Sequence, residues 1–83
     1  LTKRLVVAEQ WDSFARAVLP ANVSPVQRQE MRRAFYGGAQ GLLYSILKLL
    51  TPGVEPSEDD LRMMSGIERE LSDFADQVKA GRA

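Results

Sequence analysis

Ser45 and Lys48 stand three residues apart in the run Ser45-Ile46-Leu47-Lys48-Leu49-Leu50. On a helix this spacing brings two side chains onto neighbouring positions of one face, the arrangement a serine nucleophile with a lysine base requires. The chemistry also needs a buried lysine that yields its proton and donors aimed at a developing oxyanion. Lys48 has a stem long enough to lift its charge into water, and no oxyanion element accompanies Ser45. The remaining serines have no base to activate them, because the chain contains no histidine, the commonest general base and metal ligand. It contains no cysteine either, which removes disulfides and thiolate metal sites. The expectation is a protein that is not an enzyme and carries no cofactor.

Three further constellations invite chemistry. Glu55, Glu58, Asp59 and Asp60 offer carboxylates of the kind that hold hard cations. Consecutive acids at a helix start, however, point in different directions and complement the helix dipole, so no metal site is expected. Gly37-Gly38-Ala39-Gln40-Gly41 is glycine-rich but is not followed by Lys-Ser or Lys-Thr, as a phosphate loop would be. Arg28, Arg32 and Arg33, beside Phe35 and Tyr36, are the residues that phosphate contact would use. They define an alternative reading, a small nucleic-acid-binding or regulatory protein acting through the basic start of its second helix.

Charge weighs against that alternative. Lysine plus arginine and aspartate plus glutamate number 11 each, whereas nucleic-acid binders usually present a net basic surface. The balance is uneven along the chain: residues 24–51 carry four positive and one negative side chain, and residues 52–83 four positive and eight negative. The basic segment thus has an acidic counterpart in Glu70, Asp73 and Asp76, and nucleic acid is not the expected partner.

The elements that would position these residues are three helices, at about 5–19, 25–50 and 57–80, in an all-α fold forming one domain. Proline and glycine punctuate the chain at Leu19–Pro25 and Thr51–Ser57, lengths suited to helix–helix connections. In the first helix Val7, Trp11, Phe14 and Val18 recur at helical spacing, with Ala8 and Ala15 widening the stripe. The second opens with Ser24 as cap, Pro25 at the first helical position and Gln27 completing a capping box. The third opens the same way with Ser57 and Asp60, and then carries Leu61, Met64, Ile67, Leu71, Phe74 and Val78 at spacings of 3, 3, 4, 3 and 4, the seam of paired helices. Short connections make neighbours antiparallel, which predicts a long hairpin of the second and third helices with a shorter N-terminal helix beside it.

The second helix is the most telling. Met31, Phe35, Leu42, Ile46 and Leu49 fall on a broad apolar face, and Ala34, Gly37, Gly38, Gly41 and Ser45 on a neighbouring strip of small side chains. Each glycine costs an isolated helix about 1 kcal/mol against alanine, a loss that close packing offsets; a break or kink at Gly37-Gly38 is the competing outcome. A wide apolar face together with a smooth strip is more than 83 residues readily cover. Small domains lacking disulfides and metals usually gain stability by oligomerising. The expected partner is the chain itself, as a homo-oligomeric structural or protein-interaction module. The expected interface is Phe35, Gly38, Gly41, Leu42, Ser45, Ile46 and Leu49 of the second helix with Leu71 and Phe74 of the third. The nearly apolar run Leu42–Leu50 falls short of the roughly 20 residues that span a bilayer, and Leu5-Val6-Val7-Ala8 falls short of a secretory core; a cytoplasmic location without membrane contact is expected.

Trp11-Asp12-Ser13-Phe14, Val18-Leu19-Pro20, Pro25-Val26-Gln27 and the segment from Glu30 to Ala39 resemble those of small uncharacterised helical proteins encoded by phages and prophages of bacteria. The likeness runs over about residues 8–75. It implies a bacterial or phage setting and a helical fold, and it assigns no activity to any residue.

Overall fold

The computed structural model of the protein describes residues 4–50, 53 and 55–83. Among them the fold is all-α, with helices α1 (Val6–Val18), α2 (Pro25–Leu49) and α3 (Glu58–Lys79) and no strand. Thr51, Pro52 and Val54 of the second connection lie outside the described residues. The chain divides into two compact units, Leu1–Ile46 and Leu47–Ala83.

The helix ends follow from local chemistry. Leu5 caps α1 without a side-chain hydrogen bond. Just before it, Arg4 clasps the first-turn carboxylate of Glu9 with Nε and an Nη, at 3.0–3.1 Å, and this bond raises the guanidinium pKa above its ordinary value. Leu19 is extended (ψ 133°), because the ring of Pro20 disfavours helical geometry in the residue before it. At the start of α2 the Gln27 amide donates to Ser24 Oγ at 3.1 Å, and the Ser24 amide donates to Gln27 Oε1 at 3.3 Å, a reciprocal capping box. Ser57 and Asp60 repeat it at α3, at 3.1 and 3.0 Å. The far end of α3 closes with Gly81 at φ 74°, the Arg82 amide donating to the Gln77 carbonyl at 2.8 Å and the Gly81 amide to Val78 at 3.1 Å. This is the Schellman pattern, for which glycine provides the left-handed residue.

In the first unit α1 and α2 form an antiparallel pair. Ala15 and Leu19, late in α1, share a hollow with Val23 and Arg28, while Val7, early in α1, lies by Tyr36 and Leu43. The core is small. Trp11 is 3% exposed and Ala15 4%; Ala8, Phe14, Leu19 and Phe35 are half-buried. The sealed stripe of α1 is therefore Ala8, Trp11, Ala15 and Leu19 with Phe14 at its margin, whereas Val7 and Val18, expected inside, are exposed. Two alanines let α2 approach the indole closely, so the buried arc centres on them.

The α2 helix runs unbroken through Gly37, Gly38 and Gly41. Its apolar residues spread around far more of the circumference than those of α1 or α3. Leu43 lies at the flank of the broad face expected from spacing, and Leu47 carries apolar surface beyond it; both are exposed.

In the second unit α3 is strongly one-sided, yet Leu61, Met64, Leu71, Phe74 and Val78 are all exposed, with Met63 and Ile67 half-buried. Its first turn is an electrostatic cluster in which Arg62 lies 3.5 Å from both Glu58 and Asp59.

Candidate functional site

The aromatic side chains converge at the centre of the first unit. Phe35 of α2 meets both rings of α1, its centroid 5.6 Å from Trp11 and 5.4 Å from Phe14, while Trp11 and Phe14 are 5.9 Å apart. Tyr36 continues the cluster 6.4 Å from Phe35. Phe35, expected in an oligomer interface, is therefore engaged within its own chain. The signal for this lies in the sequence: Trp11 and Phe14, three apart on one helix, need a large apolar partner, and Phe35 is the first one α2 offers after Met31.

The arginines are drawn into the same cluster. The Arg28 guanidinium stands 5.7 Å from the centre of the Trp11 ring and that of Arg32 4.9 Å from the centre of Tyr36. A cation over a ring face is held by the ring quadrupole, so each group has a resident aromatic partner, Arg28 on α1 and Arg32 within α2. Arg33 lines a shallow groove of about 740 Å³ with Val7, Tyr36, Gly37, Leu43 and Tyr44. Inside it Gln40 Nε2 donates to the Tyr44 hydroxyl at 3.2 Å. The groove offers apolar surface, two phenols and one cation, a composition that holds a side chain and provides no nucleophile–base pair.

Ser45 and Lys48 are both exposed, so neither lies in the water-excluded setting in which oriented donors stabilise a developing oxyanion. Glu58 and Asp59 face Arg62, and Asp60 turns back to cap α3. Glu58, Asp59 and Asp60 thus serve the helix start, and Glu55 lies outside it.

The expected association residues separate into two sets. Gly38, Gly41, Leu42, Ser45 and Leu49 of α2 are exposed, as are Leu71 and Phe74 of α3; Ile46 and Phe35 are half-buried. An added Cβ at Gly37, Gly38 or Gly41 meets no atom within 4 Å. Within one chain the small-residue strip is open surface, and the close backbone approach expected of it is not made by any described residue. Beyond the expected set, Leu43, Tyr44 and Leu47 add exposed apolar area to α2. Leu43 flanks the broad apolar face by spacing, whereas Tyr44 and Leu47 lie outside its arc. Among the described residues no helix is long and apolar enough to cross a membrane.

Comparison with protein-family models, with curated proteins and with solved structures gives no match.

Proposed function

We propose that this chain is a small structural or protein-interaction module that works as a homo-oligomer. The observation that carries the reading is the exposed apolar residues along the second half of α2 and, separately, along α3: Leu49 is 63% exposed, Leu47 and Leu71 59%, and Phe74 57%. Isolated exposed leucines are ordinary. A run of them along whole helices marks an association surface, because fully burying each such side chain gains about 1.5–3 kcal/mol. The open strip at Gly37, Gly38 and Gly41 suits the same role, since small side chains let a second backbone come near. The resemblance to phage and prophage proteins adds a bacterial or phage setting to the reading and no activity.

Sedimentation equilibrium over a wide concentration range tests it. The expected result is a mass that rises with concentration to a defined multiple of the 9.3 kDa chain. A monomer throughout, with these leucines protected from solvent, would overturn the proposal.

A further inference from the structure

The exposed seam of α3 has both a period and a polarity. Stepping about 100° per residue from Leu71, the side chains of Met64, Ile67, Leu71, Phe74 and Val78 fall within about 80° of arc. Their spacings of 3, 4, 3 and 4 are those of alternating a and d positions in a heptad repeat. Four of the five are exposed and Ile67 is half-buried. Charge differs at the two ends: Glu58, Asp59 and Asp60 occupy the first turn, and Lys79 and Arg82 stand at the last.

We propose that α3 pairs antiparallel with α3 of a second copy of the chain along the seam Met64, Ile67, Leu71, Phe74 and Val78. The inference rests on the homo-oligomer reading above and names its contact. Antiparallel alignment turns the acidic first turn of each helix towards the basic end of the other. A parallel pair would set Glu58, Asp59 and Asp60 beside their own copies and Lys79 and Arg82 beside theirs, and like charges so placed repel. The flanks also select a register. With Leu71 opposite the partner's Phe74, Ile67 comes opposite the partner's Val78. Glu68 then lies level with the partner's Gln77 and Glu70 with the partner's Ala75. Placing Ile67 opposite the partner's Leu71 would bring Glu68 level with the partner's Glu70.

The chain contains no cysteine, so a single introduced thiol carries a nitroxide label without ambiguity. Arg62→Cys and Ser72→Cys place labels on exposed positions off the seam, and electron–electron distance measurement reads the separation between copies. The proposed register puts the two labels at position 62 about 30 Å apart along the axis and brings those at position 72 level with each other. A long distance at 62 with a short one at 72 supports the proposal; short distances at both, or any other pattern, overturn it. Sedimentation of Leu71→Asp with Phe74→Asp separates this from the wider reading, with circular dichroism verifying that α3 stays helical. Loss of association supports the α3 contact. An oligomer that persists overturns that contact and leaves the homo-oligomer reading standing, whereas an unsubstituted chain that is always monomeric overturns both.

Discussion

The indole of Trp11 and the phenyl ring of Phe35 meet edge to face between α1 and α2, centroids 5.6 Å apart with planes at 63°. This geometry sets the positive edge of one ring against the negative face of the other and adds about 0.5–1.5 kcal/mol to the gain from burial. Trp11 and Ala15 are the only buried apolar residues among the described residues, so the pair of helices depends on this contact. Trp11→Ala is expected to cost about 3–5 kcal/mol, enough to separate α1 from α2. Urea unfolding followed by circular dichroism reads the loss, and a cost below that of a surface substitution would remove Trp11 from the core.

Arg28 should prove structural. Replacing its guanidinium by an uncharged amide in Arg28→Gln removes the cation over Trp11 at 5.7 Å, and stability should drop by about 0.5–1 kcal/mol. Titration with duplex DNA at low salt should show no binding before or after the change. Binding that weakens steeply with added salt would instead establish Arg28, Arg32 and Arg33 as phosphate contacts.

Ser24 holds the start of α2 through its capping box with Gln27. Ser24→Ala should lower stability by about 1 kcal/mol, and Ser24→Asp should preserve it, because aspartate also accepts from the first-turn amides. Equal losses in the two variants would show that the side-chain oxygen is not what matters.

Glycines separate helix propensity from association. Gly66 lies on the polar side of α3, and an added Cβ meets nothing within 4 Å, so Gly66→Ala should stabilise by about 0.5–1 kcal/mol and leave the oligomer mass unchanged. Gly41 has equal room inside its own chain, so Gly41→Leu should fold normally. Its bulk would nonetheless hold a second copy away and lower the sedimentation mass. An unchanged mass would remove the close-contact role of the strip.

The number, order and ends of the helices were legible in the chain because they depend on neighbours a few residues apart. Ser24 with Gln27 and Ser57 with Asp60 are capping boxes in the structure as in the sequence. Pro20 turns Leu19 out of the helix, and Gly81 supplies the left-handed stop of α3. The one-sidedness of α3 is written in the same way, by the spacing from Leu61 to Val78.

Tertiary structure decided which apolar residues each helix hides. Spacing marks a face but not the distance at which a partner helix lies, and that distance depends on side-chain volume summed across two elements. Ala8 and Ala15 draw α2 inward, so Trp11 is enclosed while Val7 and Val18 remain in water. Phe35, indistinguishable from Leu42 by period, goes to the chain's own aromatic cluster because the two rings of α1 stand where its ring arrives. Arg28 comes over the Trp11 ring for the same reason, since only the packed pair of helices brings that ring to it, whereas Arg32 and Tyr36 are four apart on α2 and their contact follows from helical spacing alone.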